Sequence, residues 1–170
     1  ALLMLDPSAR PATSTTKTVI GRTTLPADGW SLRVDGHAAR RPYAHDFGTV
    51  RLTDWREMPE LARFAGTATY RRSVTVEPGW LRQGTRVTLD LGAVHDMASV
   101  SVNGRALPPL ITTPFRADIT DVLRAGVNDL VVTIANTPQN AMINAKDPSY
   151  AKLKPVPAGL VGPVALEAER

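Results

Sequence analysis

The stretch "VTLDLGAVHDMASVSVNGRAL", residues 87–107, constrains the fold more than any other part of the chain. Val87, Leu89 and Leu91 alternate with Thr88 and Asp90, and Val100 and Val102 alternate with Ser99 and Ser101. Successive side chains of a strand point to opposite faces, so each run reads as a strand with one buried side. Asn103-Gly104 suits a two-residue hairpin turn. The same period recurs in "GWSLRVDG", where Trp30, Leu32 and Val34 share a face and Asp35-Gly36 reads as the turn that follows. It recurs again in "TATYRRSVTVEPG", through Ala68, Tyr70, Arg72, Val74 and Val76. "DLVVTIAN" is apolar on both faces, which places it in the middle of a sheet.

The connecting segments support the same architecture. "KTVIGRTTL" (17–25) reads as a first strand, 37–48 as irregular, and "TVRLTDW" as a short strand. "WREMPELARFAG" (55–66) holds one brief helix-like passage, interrupted by Pro59 and ended by Gly66. In "RADITDVLRAGVNDLVVTIAN", Thr120 reads as the N-cap of a single helical turn, and Gly126 and Asn128 as the turn that releases the chain. A long proline-rich segment from Pro138 to Pro163 lacks periodicity and leads to a last strand, "PVALEA". Fourteen prolines and twelve glycines fall between short strands, and no long amphipathic helix is present to cover a parallel sheet. The fold class is therefore all-β, a sandwich of mainly antiparallel strands with one short helical turn. Eight or so core strands, each burying two or three aliphatic side chains at roughly 1.5–3 kcal/mol apiece, offset the ordering entropy of such a domain. Trp30 and Tyr70 alternate inward and belong to the core, and Trp80 lies at a turn where it covers a sheet edge.

Residues 6–16, "DPSARPATSTT", have linker composition. The expected organisation is a linker or tail over 1–16 and one β-sandwich over 17–170. The chain opens on Ala1 and reads as a fragment of a larger multidomain protein. The formal charge of +4 is spread out, with "ARR" and "YRR" the only tight basic groups, which argues against nucleic acid as a partner. No apolar run approaches the roughly 18 residues of a membrane helix, and "ALLMLD" is too short for a signal peptide. The chain has no cysteine, which removes disulfides, thiol nucleophiles and cysteine-bound zinc.

No constellation of catalytic residues emerges. Glycoside hydrolysis needs two carboxylates, one with a raised pKa so that it can protonate the leaving group. Asp90, Glu57 and Glu60 have no such surroundings in the pattern. "AHDF" and "VHDMA" each place a histidine beside an aspartate, but neighbours on a strand face opposite ways. Ser73, Ser99 and Ser101 fall in strands, with no nucleophile elbow. No cofactor motif is present; a structural calcium is an expectation from fold analogy alone. Carbohydrate binding asks for exposed aromatic faces with amides and acids beside them. Tyr43, Trp55 and Tyr150 fall on segments read as loops and are the aromatic candidates. Asn140, with Asn136 and Asn144, punctuates the long loop and is the amide candidate.

"FAGTATYRRSVTV", "VTLDLGAVHDMASVSVNGRAL" and "PFRADITDVLRAGVNDLVVTIAN", in this order and spacing, resemble the sugar-binding jelly-roll domain of glycoside hydrolases of family 2. "PAGLVGPVAL" brings the resemblance closest to the C-terminal β-sandwich of bacterial α-L-rhamnosidase-like enzymes of family 106, and it spans about residues 29–167. It implies a galactose-binding-like jelly roll, an accessory domain that packs on a catalytic domain of the same polypeptide and contacts an oligosaccharide or polysaccharide. It also implies a secreted or periplasmic location. Where related sequences tend to carry a tryptophan before the "PFRADIT" motif, this chain has "LITT", so the resemblance carries no aromatic platform to that spot. A free-standing carbohydrate-binding module and a structural or protein-interaction domain are the alternatives.

Overall fold

The computed structural model describes residues 18–39, 41–143 and 149–170. In these residues the chain runs through β1 (Val19–Thr24), β2 (Asp28–Ala38), β3 (Arg41–Arg51) and β4 (Phe64–Val76). It continues through β5 (Arg86–Asp90), β6 (Ala93–His95), β7 (Met97–Val102), β8 (Arg105–Ala106) and β9 (Arg116–Asp118). Then come β10 (Gly126–Ala135), a four-residue helix α1 (Gln139–Met142), β11 (Gly159–Gly162) and β12 (Ala165–Glu169). Three single 3-10 turns, at Trp55–Glu57, Pro78–Leu81 and Thr120–Val122, join strands.

Period-two alternation becomes two layers. One sheet has the order β3-β2-β4-β10-β7-β8, the other β1-β12-β5-β9, and every pairing is antiparallel. Leu32, Tyr70, Val132 and Val100 lie in register across the first sheet, and Leu89 lies opposite Leu166 in the second. All are buried, so the core is the space between these faces. A two-stranded piece, β11-β6, is paired separately. This is the expected jelly-roll β-sandwich, with β10 mid-sheet between β4 and β7; its inward Leu130, Val132 and Ile134 are buried, while Val131, Thr133 and Ala135 on the other face are half-buried.

Individual expectations fare differently. Asn103 (φ 52°) and Gly104 (φ 79°) make the β7–β8 hairpin turn. Gly126 takes φ 82°, and the fully buried Asn128 clamps that turn, its amide bonding to Arg124 and Gly126 and accepting from Asn103. Trp30 and Tyr70 are core residues. Trp80 lies against Gly21 of edge strand β1, where a Cβ would come within 2.8 Å of the indole. Arg72 alternates inward at the core's margin because its guanidinium donates to the Pro26 and Asp28 carbonyls and sits 5.6 Å from the Trp30 ring.

Three readings need correction. Residues 41–51 form β3 and are not irregular; Pro42 and the kink at Asp46–Gly48 are tolerated because β3 is an edge strand with a bulge opposite Leu32 and Arg33. Asp35-Gly36 is no turn but the interior of β2. Gly36 is there because Gly66 of β4 lies opposite, and a Cβ on either would fall 2.6 Å from the other's Cα. Thr120 does not cap its turn by accepting a first-turn N–H. Its hydroxyl accepts the Val87 N–H, and Asp118 accepts the Thr120 N–H instead.

Candidate functional site

The topology brings the four sequence-derived candidates to one end of the sandwich. Tyr43 of β3 lies opposite Gly36, Gly36 lies opposite Gly66, and the Asn136 N–H donates to the Gly66 carbonyl. Tyr43 and the chain leaving β10 are thus about three strand spacings apart, roughly 14 Å. Asn140 and Tyr150 lie on that departing segment, and Trp55 on the turn before β4.

Burial then separates them. Tyr43 is half-buried and heads a run of rings along β3. Its ring is stacked on His45 at 6.0 Å, and His45 meets Phe47 edge-on at 4.6 Å. Positions 43, 45 and 47 share the face that points toward the core, since Val34, opposite His45, is a core residue. β3 is the outermost strand of a wider sheet, so this face is only partly covered: Tyr43 and Phe47 pack on the core while His45 is exposed. The Gly36–Gly66 pair clears the floor beside it. Phe64 occupies that floor, its ring tip 2.8 Å from where a Gly66 Cβ would stand, and meets Tyr43 edge-on at 6.3 Å. The paired glycines thereby set the seat of the ring run.

Trp55 is corrected: it is fully buried, and its ring offers no face to a ligand. Its indole N–H donates to the Tyr70 hydroxyl at 2.7 Å, its ring packs edge-on against Phe64 at 5.5 Å, and Gly159 (φ 96°) presses against the indole nitrogen. Asn140 is corrected as well. It is 1% exposed, and its amide reproduces a strand pairing with Val156, donating to the carbonyl and accepting the N–H at 2.8 Å each. Both amide groups are consumed in fastening the 149–158 segment. Asn136 plays the same part nearby, accepting the Gly66 N–H and donating to the Phe64 carbonyl. Asn144 lies outside the described residues. Tyr150 is half-buried and lines an apolar hollow of about 360 Å³ with Pro138, Met142 and Leu153.

The scaffold under the rings is continuous. Trp55 N–H donates to the Ala158 carbonyl, and the Asp54 carboxylate accepts the Ala158 and Arg56 N–H groups and the Arg56 guanidinium at 2.7 Å. Burial alone would raise the Asp54 pKa, but these hydrogen bonds outweigh it and hold the carboxyl below its ordinary 3.8. Burial also pushes the Tyr70 phenol up to about 12, against the opposing bonds from Trp55 and the Leu160 amide.

Elsewhere several carboxylates are held by arginines. On the outward face of the four-stranded sheet, Arg116 bridges Asp90 (3.1 Å) and Glu167 (3.3 Å), and Arg22 also binds Glu167. Asp118 lies 2.6 Å from Arg86. Its partial burial works to raise its pKa, yet the Thr120 and Arg86 bonds prevail and lower it. The two His-Asp pairs are structural on their aspartate side: Asp46 accepts the Gly48 N–H and Asp96 the Thr137 N–H. Among the described residues no three histidine or acidic side chains converge on a metal-sized point.

Sequence reasoning missed His45, Phe47 and Phe64. The signal was present as the alternation Tyr43, His45, Phe47, but Pro42 and Gly48 masked it.

Residues 42–152 match the family described as glycosyl hydrolases family 2, sugar binding domain. A rhamnosidase from Novosphingobium sp. PP1Y superposes with a TM-score of 0.70 at 30% identity, covering 95% of this chain and 16% of that one. An FMN-binding β-glucuronidase from Facaelibacterium prausnitzii L2-6 superposes at 0.57 with 27% identity, over 86% of this chain and 22% of its own. A conjectured β-glucuronidase of Formosa agariphila is 32% identical over 113 residues, 63% of this chain and 10% of that protein. The chain therefore spans a small part of each of these relatives.

Proposed function

The chain belongs to the sugar-binding domain family of the family 2 glycosyl hydrolases, and from that premise we propose that it is the accessory β-sandwich of a larger, rhamnosidase-like glycoside hydrolase. In this reading it packs on a catalytic domain of the same polypeptide and offers carbohydrate the rings of Tyr43, His45 and Phe47. The observation that carries the reading is this ring run itself, seated by Phe64 and the Gly36–Gly66 pair; the three rings, Phe64 and Gly66 lie inside the segment that matches the family. Sugar C–H groups pack on such faces, and a half-buried ring is already ordered, so little entropy is lost on binding. Trp55 and Asn140 contribute as scaffold, and Tyr150 stands as a second aromatic contact at the same end.

The role is non-catalytic. A glycosidase acid must have a raised pKa. The aspartates with a resolved shift, Asp54 and Asp118, move the other way, and Asp90 and Glu167 are ion-paired with Arg116.

The test is calorimetric titration of the 170-residue chain with rhamnose-containing oligosaccharides, alongside Tyr43→Ala. Saturable binding that weakens about tenfold or more in Tyr43→Ala, with an unchanged melting temperature, is the expected result. Binding indifferent to Tyr43 removes the ring run from the reading. Turnover of an aryl rhamnoside that disappears on mutating one Asp or Glu overturns the non-catalytic role.

A further inference from the structure

The outward face of the six-stranded sheet, opposite the Tyr43 run, carries a hollow of about 310 Å³ lined by Ser31, Leu32, Arg33, Asp46, Thr69 and Arg71. Arg33 on β2 lies opposite Thr69 on β4, and Ser31 lies opposite Arg71. The two arginines are therefore diagonal neighbours on one face, with Cβ atoms about 7–8 Å apart.

Their partners are what set them apart. On the other sheet Arg22, Arg86 and Arg116 each hold a carboxylate at 2.6–3.3 Å. Asp46 stands opposite Arg33, yet the β3 bulge engages its carboxylate with the Gly48 N–H at 2.9 Å. Among the described residues no carboxylate oxygen lies within 4.0 Å of Arg33, and Arg71 reaches Asp129 only at that limit. Two guanidinium groups thus flank one hollow with most of their donors uncommitted. Like charges placed this way repel; the Asp46 carboxylate in the lining offsets part of that repulsion, and an anion shared between the two guanidinium groups offsets more. The planar fork of each matches a carboxylate or sulfate, and both side chains are long enough to converge on one group between them. Ser31 and Thr69 add hydroxyls that both donate and accept. The volume is at the lower end of small-molecule sites.

We infer that this hollow is a subsite for an acid-bearing sugar residue, its carboxylate or sulfate shared by Arg33 and Arg71. The inference rests on the sugar-binding reading of the domain but uses the other face of the sheet.

The experiment is calorimetric titration of the full chain with three probes of equal length: trigalacturonate, a sulfated galactose trisaccharide and neutral galactotriose. The variants are Arg33→Gln, Arg71→Gln, Arg71→Lys and, as a control for bulk charge, Arg82→Gln. An acid-bearing probe should bind the parent chain and lose about tenfold or more in Arg33→Gln and Arg71→Gln, with Arg82→Gln unchanged. Arg71→Lys keeps the charge and should still lose several-fold, because the bidentate fork is gone. The tighter of the two acidic probes identifies the anion. No binding of either acidic probe, equal affinity for galactotriose, or an equal loss in Arg82→Gln overturns the inference. If Tyr43→Ala weakens a neutral oligosaccharide while the arginine variants leave acidic ones untouched, the subsite falls and the ring run stands. The opposite pattern removes the ring run and leaves the subsite.

Discussion

Replacing Tyr70 by phenylalanine removes one oxygen from the middle of the domain and leaves every carbon in place. That oxygen accepts the Trp55 indole N–H at 2.7 Å, and the two side chains are 2% and 0% exposed. Water does not reach the orphaned N–H, so the cost is that of an unsatisfied buried donor, about 1–3 kcal/mol. For a domain of this size that corresponds to a melting temperature lower by roughly 2–12 °C. Urea unfolding followed by tryptophan fluorescence should show a lower midpoint with an unchanged slope. In a double-mutant cycle with Trp55→Phe, the two losses should fall short of adding by about 1 kcal/mol, because the hydroxyl has no donor once the indole is gone. The phenol also carries a pH signature. Its pKa is raised in the fold, from 10.0 to about 12, so its contribution is complete below pH 10 and is lost as pH rises toward 12. Tyr70→Phe should lack that alkaline loss. A Tyr70→Phe variant within about 0.3 kcal/mol of the parent, or a strictly additive cycle, refutes the reasoning.

Asn140→Ala leaves both backbone groups of Val156 unpaired beside a buried side chain and should cost about 2 kcal/mol or more, read as loss of hydrogen-exchange protection at Val156 while β4 and β10 keep theirs. Asp54 has a lowered pKa in the fold, so its contribution is present above its ordinary 3.8 and is lost as pH falls through the lower folded value. Asp54→Asn should therefore show a flatter acid limb in a series of urea titrations between pH 7 and pH 2, and an identical limb would contradict the bond set drawn around Asp54.

The strands with clean alternation were readable because burial on one face leaves a period of two in the letters. Trp30–Leu32–Val34, Ala68–Val76, Val87–Leu91 and Leu130–Ile134 all took their expected faces. β3 was hidden because an edge strand tolerates proline and a bulge, the same residues that mark irregular chain. Gly36 shows the second ambiguity. A glycine after aspartate is a turn signal, but here it answers a close approach by Gly66, thirty residues away in the chain. The site suffered most. Trp55 and Asn140 sit on aperiodic segments, and nothing local tells an exposed loop aromatic from one whose donor meets Tyr70, or a loop amide from one that pairs with Val156. Those partners are set by the packing of distant segments. Thr120 lost its expected cap role for a similar reason, since the Val87 N–H that its hydroxyl accepts belongs to β5.

The most direct measurement is the size of the polypeptide in its source, by immunoblot with an antibody raised against this domain. An accessory domain of a larger hydrolase predicts a band several times heavier than the 18.3 kDa of these 170 residues. A band at 18.3 kDa contradicts it, leaving no catalytic partner in the same chain.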